Sequence, residues 1–206
     1  MIRLRCPLVL ASQSPRRRDL LEAIGVPFAV HPSHAEEVWP AGASPSRAVE
    51  ALALQKAEAV APSHPDALTL GADTVVVLHD SADEAPASAA VLGKPADAAD
   101  AVRTLSQLGG RTHQVYSGLA LVHPATGRSA TASERTRVRF APLSTDEIDA
   151  YVATGSPMDK AGSYGIQDDA GALLIEGIDG DYYNVVGLPL HRLYRTLRAH
   201  FSDLLF

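Results

Sequence analysis

A chain of 206 residues has room for one large domain, or two small lobes, around a sizeable buried core. With 46% hydrophobic and 20% charged residues it has an ordinary globular composition, which excludes disordered and fibrous classes. A net charge of −6 argues against a general nucleic-acid or anionic-membrane surface and suits a small anionic ligand at a local basic cluster.

The predicted elements alternate between strand and helix, as in an α/β domain. Leu8 to Ala11 reads as a short buried strand. Ser14-Pro15 then opens a helix, with the serine hydroxyl as N-cap and proline at the first helical position. Leu20, Leu21 and Ile24 recur at helical spacing, and Gly25 marks the stop. Phe28 to Val30 reads as a short strand, and Ser44 to Ala61 as an alanine-rich helix with a second Ser-Pro start. Ala67 to His79 is the strongest strand, nearly continuous in apolar character, as in a sheet covered on both faces.

Asp80 to Ala90 is small and acidic and reads as a mobile hairpin tip. A helix ending at Gly109-Gly110 follows, then two long strands around an Ala125-Thr126-Gly127 turn. Ser144 and Glu147 form a capping box for a helix over Thr145 to Ala153. After a glycine-rich loop, strands are predicted at Ala172 to Ile178 and Tyr182 to Val186, joined by Asp179-Gly180, and a closing helix starts at Pro189. No repeat is present, and no linker is long enough to split the chain. The single Cys6 excludes an internal disulfide and points to a reducing cytoplasm, the opening apolar run is too short for a signal peptide, and no segment approaches a membrane span.

Three successive arginines, Arg16, Arg17 and Arg18, occupy the first turn of the first helix, where the dipole disfavours cations and free N–H groups suit an anion. At about 100° per residue, Arg17 falls within the Leu20/Leu21/Ile24 stripe and Arg16 about 40° from Leu20, whereas Arg18 points away, toward Glu22. Arg18 therefore reads as a solvated residue, and a bound phosphate is expected for Arg16 and Arg17. In "GADTVVVL", alternation places Asp73 with Val75 and Val77 inside a buried sheet. An isolated carboxylate there is costly unless it is paired with Lys or Arg, protonated, or on a metal. The choice is between a structural salt bridge and a carboxylate that binds Mg²⁺ or activates water. Thr74 faces the opposite way.

Lys94 in "LGKP", the adjacent Glu36 and Glu37, and Lys56 on its helix are weak signals singly, each compatible with a solvated surface. The segment from Gly155 to Gly171 has the irregularity and length of a binding loop. Within it, Asp159 and Lys160 can be a loop clamp, and the Gln167 amide offers a donor and an acceptor that match the O4/N3–H edge of uracil or thymine. There is no G-x-x-x-x-G-K-[ST], no G-x-G-x-x-G after a strand and no G-x-S-x-G, and the eight histidines form no helical i, i+4 pair.

Six segments, "LASQSPRR", "GADTVV", "LGKP", "LSQLGGRTHQVYSG", "MDKAGSYGIQ" and "IDGDYYNVVGLP", resemble in order those of the Maf family of nucleoside triphosphate pyrophosphatases. The resemblance implies one Maf-like domain over residues 1–206, with an elongated Maf/ITPase-like α/β fold: a mixed central sheet flanked by helices, and two lobes with an active-site cleft between them. It further implies a cytoplasmic, often homodimeric enzyme. Such an enzyme cleaves a nucleoside triphosphate between the α and β phosphates with a divalent cation, Mg²⁺ or Mn²⁺. The family's catalytic aspartate matches Asp73; its specificity positions match Arg16, Thr74 and Gln167. Other polar cleft positions match Ser12, Arg17, Glu37, Lys56, Lys94, Asp159 and Lys160. "DKAGSYGIQ" is similar to the branch acting on dTTP and UTP. Ser156 stands where a glutamate is usual and Asp168 where glycine is common, departures that bear on loop charge or base preference.

Together these readings give an expected mechanism. Arg16, Arg17 and the helix amides hold the triphosphate across a crevice from Asp73. Asp73, with Glu37, places the metal and a water that attacks the α-phosphorus; Lys56 and Lys94 balance charge on the leaving pyrophosphate, and Gln167 reads the pyrimidine. The rivals are an ITP/XTP-type house-cleaning pyrophosphatase and a nucleotide-binding regulator of cell division that does not hydrolyse its ligand.

Overall fold

The computed structural model describes residues 2–79, 90–168 and 170–206. The expected hairpin tip at 80–89 lies outside the described residues. Among those residues, strands β1 (Leu8–Leu10), β2 (Ala29–Val30), β3 (Leu68–Leu78), β4 (Ala90–Leu92), β5 (Thr112–His123), β6 (Arg128–Phe140) and β7 (Ile175–Asp179) form one sheet. Its order is β2-β1-β3-β5-β6-β7, with β4 on β3. β1 pairs parallel to both β2 and β3, with Leu10 opposite Leu70, while β3/β4 and β6/β7 are antiparallel. The sheet is therefore mixed, as expected for this α/β class. Helices are α1 (Pro15–Ala23), α2 (Pro45–Val60), α3 (Ala98–Leu108), α4 (Thr145–Ala153), α5 (Tyr182–Val186) and α6 (Leu190–His200). Among the described residues, none is long and apolar enough to cross a membrane.

The chain divides into two compact units. The first comprises Met1–Thr74, Ser117–Glu134 and Gly187–Phe206; the second comprises Val75–Tyr116 and Arg135–Val186. In the first unit, alternation sorts β3 into two faces. Leu68, Leu70 and Ala72 join Leu8, Leu10, Leu21, Leu119, Leu121, Leu188 and Leu193 in a core that involves α1 and α6. Gly71 and Gly118 lie on the other face, where α2 approaches so closely that a Cβ on either would collide with the backbone of Ala53 or Val49. Coverage of both faces explains the unbroken apolar run of β3.

In the second unit, α3 packs on α4. The N-terminus of α3 is capped by Asp97, which accepts from the Asp100 N–H at 2.8 Å, and α4 carries both bonds of the Ser144/Glu147 capping box. His113, Phe140 and Tyr164 form a cluster of edge-to-face rings.

Three local expectations are corrected. The hydroxyls of Ser14 and Ser44 make no capping bond, although both serines occupy the N-cap position. Tyr182–Val186 is helix α5, not a strand. Asp181 accepts from the Tyr183 N–H at 2.8 Å and starts the turn, while the Thr136 hydroxyl accepts from the Asp181 N–H at 3.0 Å and donates to its carbonyl at 2.9 Å. Buried Asn184 then donates to the Val115 carbonyl and the Thr136 hydroxyl, both at 3.0 Å. Partners far away in sequence override the local β propensity of the aromatic and valine residues. Ala172 likewise belongs to a short 3₁₀ turn, Gly171–Leu174, ahead of β7.

Candidate active site

The first unit holds Ser12, Arg16, Arg17, Glu37, Lys56, Asp73 and Thr74. Arg17, half-buried at the start of α1, is a hub. Its Nε donates to the Gly187 carbonyl at 2.9 Å, Nη1 to Ser12 Oγ at 3.1 Å and Nη2 to Thr74 Oγ1 at 3.1 Å. Ser12 Oγ also accepts from the Ser14 N–H at 3.2 Å, and Thr74 Oγ1 lies 2.8 Å from Ser117 Oγ. All three acceptors of Arg17 are neutral, so the fork is oriented without its charge being cancelled by contact. Burial pulls the guanidinium below its ordinary pKa; Asp73 opposes this, Arg16 reinforces it and Glu37 opposes it. The N-terminus of α1 thus keeps the positive field predicted there, and internal acceptors take three of the five Arg17 N–H donors. Arg18 behaves as the solvated residue expected, 3.8 Å from Glu22.

Asp73 lies on the α2 face of β3, opposite to Thr74. Its buried carboxylate takes the Lys56 ammonium at 2.6 Å, and the same ammonium reaches Glu37 at 2.9 Å. Asp73 is therefore paired, one of the alternatives open from sequence. Glu37 owes its place to Gln55, whose amide accepts from the Val38 N–H at 3.1 Å and donates to the Val38 carbonyl at 3.0 Å. Two carboxylates meeting at one cationic point offer the hard oxygen donors that Mg²⁺ and Mn²⁺ prefer. No group of three or more His, Cys, Asp or Glu residues suited to a metal exists among the described residues. A divalent ion here fits the pattern of one or two carboxylates completed by water and substrate phosphates.

The second unit holds Lys94, Asp159, Lys160 and Gln167. Lys94 is exposed, and the carbonyl of its neighbour Gly93 accepts from the Gly162 N–H at 3.0 Å, tying the "LGKP" turn to the glycine-rich loop. Lys160 is buried and donates to the Ser156 carbonyl at 2.6 Å and Asp159 at 2.8 Å, with Asp168 at 3.2 Å. Ser163, at φ 61°, is the one non-glycine with positive φ among the described residues. Such a backbone persists only where its surroundings enforce it, and it clusters in functional loops. Gln167 is exposed on a turn of this loop.

Sequence reasoning missed Ser117, Gly187 and Gln55. Ser117 had a legible signal, a hydroxyl at the head of the apolar run Gly118 to Val122; the other two are recruited by tertiary contact.

Residues 7–200 match the Maf family, described as Maf-like protein. The chain is 53% identical over 205 residues to the dTTP/UTP pyrophosphatase of Salinibacter ruber, covering 100% of this chain and 96% of that one. It is 54% identical over 190 residues to the dTTP/UTP pyrophosphatase of Moorella thermoacetica, covering 92% and 93% of the two chains. Among solved structures, the Ham1 protein of Staphylococcus aureus is a partial likeness, with a TM-score of 0.44 at 18% identity over 66% of this chain and 72% of that one. The protein belongs to the Maf family.

Proposed function

We propose that this protein is a nucleoside triphosphate pyrophosphatase acting on dTTP and UTP and serving to clean the nucleotide pool. The observation that carries the reading is the 53% identity, along the whole chain, to a protein named for that activity. The site chemistry agrees with it. Arg16, Arg17 and the backbone amides at the start of α1 supply a cationic, donor-rich surface for phosphate oxygens. Asp73, held by Lys56, accepts a proton from water as that water attacks the α-phosphorus. The bond from the α-phosphorus to the bridging oxygen breaks, and the nucleoside monophosphate and pyrophosphate leave. Lys56 and Lys94 offset the charge gathering on the pyrophosphate. Gln167 reads the pyrimidine edge.

A divalent cation, bound by Asp73 and Glu37, would supply charge neutralisation of the triphosphate and polarisation of the phosphoryl oxygens. Cytoplasmic location and pairing into a homodimer belong to the same reading and rest on the family resemblance; light scattering of the purified protein checks the second.

The test is a panel of dTTP, UTP, dCTP, ATP, GTP and ITP with Mg²⁺ or Mn²⁺, scored for pyrophosphate against orthophosphate. Release of pyrophosphate from dTTP and UTP ahead of the rest is expected. Preference for ITP would replace the pyrimidine assignment with the ITP/XTP-type one, and stable binding of dTTP without turnover in either metal would make the protein a nucleotide-binding regulator.

A further inference from the structure

Resting on the reading of Gln167 as the base-contacting amide, we infer that Asp168 is a positioning residue that fixes the Gln167 turn and thereby sets base preference. Gly165, Ile166, Gln167 and Asp168 form a turn closed by the Asp168 N–H donating to the Gly165 carbonyl at 3.1 Å. Its two corner residues divide: Ile166 is buried and Gln167 is exposed. A free amide at a turn tip can rotate and reposition with the turn, so its value as a base reader depends on what holds the turn's two ends.

Both ends are held. At the first, the Gly165 N–H donates to Tyr151 Oη at 3.2 Å. A Cβ at Gly165 would meet the Asp168 carboxylate and the Lys160 stem, which would have to shift to admit it. At the second, the Asp168 carbonyl accepts from the Ala172 N–H at 2.9 Å. The Asp168 carboxylate accepts the Ser156 hydroxyl and lies 3.2 Å from the Lys160 ammonium. Lys160 is itself locked by the Ser156 carbonyl and Asp159. The residue directly after Gln167 is thus anchored to the loop's only buried cation among the described residues.

Ser156 and Asp168 are one structural unit. They touch each other, and both touch Lys160, with Ser156 Oγ 3.3 Å from the ammonium. A carboxylate at 156 anchors residue 156; a carboxylate at 168 anchors the turn that carries Gln167. The geometry therefore makes Asp168, within this chain, a determinant of how sharply uracil and thymine are distinguished from other bases.

The experiment compares wild type, Asp168→Gly, Asp168→Asn and the transposed Ser156→Glu/Asp168→Gly. It reads kcat and KM for dTTP, UTP and ITP by pyrophosphate release. In Asp168→Gly the ratio of kcat/KM for dTTP over ITP falls about tenfold, mostly through KM for dTTP, because a base-reading site loses discrimination when its polar groups are misplaced. Asp168→Asn keeps an acceptor for Ser156 but not the charge facing Lys160, and loses about threefold. The double variant returns the carboxylate to Lys160 from position 156 but leaves the turn unanchored, so its ratio stays low.

A role in stability alone lowers all three nucleotides in proportion. An unchanged ratio in Asp168→Gly overturns the inference, as does full recovery in the double variant. If Asp168→Gly does not fold, an unchanged ratio in Asp168→Asn does so. A wild type with no preference for dTTP and UTP over ITP removes the reading of Gln167 before any variant is made, which separates the two failures.

Discussion

Lys56 and Lys160 are buried to similar depth, with side chains 13% and 10% exposed, and each faces two carboxylates. They differ in what holds them and in what their donors have left to give. Lys56 projects from the C-terminal half of α2 toward Asp73 on β3, so this ion pair is fixed by regular elements packed through Gly71 and Gly118. Lys160 lies on the irregular loop and is bound by groups of that same loop, among them the Ser156 backbone carbonyl, which no side-chain substitution removes. An ammonium has three donors. Lys160 donates to the Ser156 carbonyl and hydroxyl and to Asp159, with Asp168 in ion-pair range, whereas Lys56 has ion-pair contacts with Asp73 and Glu37. Under the proposed function, the first lysine holds the reacting carboxylates and keeps a donor for a phosphate; the second holds a loop.

The largest expected effect separates these roles at Asp73. Asp73→Asn preserves the oxygen facing Lys56 and removes the basic charge. Turnover of dTTP should fall by about 10³-fold, the range of a lost general base, with little change in thermal midpoint. Pyrophosphate release and a melting curve on one preparation check both halves. Near-normal turnover would reduce Asp73 to a structural ion pair. The mirror experiment is Lys160→Met, which strips the loop of its central cation. Breaking such a pair leaves two carboxylates facing each other; because Asp159 and Asp168 are partly exposed, the expected cost is about 1–2 kcal/mol, below that of a fully buried pair. Stability should drop by urea unfolding, while kcat of the folded protein changes far less than in Asp73→Asn. A kcat loss as large as that variant's, at unchanged stability, would place the ammonium on the reacting phosphates and end the contrast.

How much of this was legible in the chain follows the same division. β3, α2 and the Ser144/Glu147 box were readable because apolar run, helical period and capping chemistry are local. Asp73 stood out as a charge in a buried strand, with a salt bridge to a lysine or arginine as one alternative and a metal-binding or water-activating carboxylate as the other. The identity of that partner did not, since Lys56 shows nothing on its own helix to set it apart. The acceptors of Arg17 were hidden for the same reason: Gly187 is 170 residues away and contributes only a backbone carbonyl. Helix α5 was misread as strand because its determinants, Thr136 and Val115, belong to other segments. In the loop, Ser156 and Asp168 could each be seen as unusual, but not that they touch.

The smallest effect at neutral pH concerns the floor of that loop, and it sharpens the contrast by giving the second unit a titration of its own. His113 is wholly buried, and burial drives its pKa from 6.5 down to about 3. Nε2 lies 2.8 Å from Tyr164 Oη, while Nδ1 has no hydrogen-bond partner among the described residues, so a proton added there would have no acceptor. Burial also raises the Tyr164 pKa, so the phenol stays neutral and serves the imidazole as donor or acceptor. The sign then follows. The folded state keeps His113 neutral where the unfolded chain takes up a proton, so the contribution is complete above about pH 6.5 and is lost as pH falls toward 3. At pH 5 the loss amounts to about 2 kcal/mol, the free energy of protonating an ordinary histidine in the unfolded chain. His113→Gln removes the titration and keeps a polar partner for Tyr164. Urea unfolding at pH 7 and pH 5 should show the gap between wild type and variant shrinking by about that amount at the lower pH, because carboxylate titrations common to both cancel. An equal gap at both pH values would mean that His113 takes up its proton in the fold as readily as in the unfolded chain, and would overturn this reading.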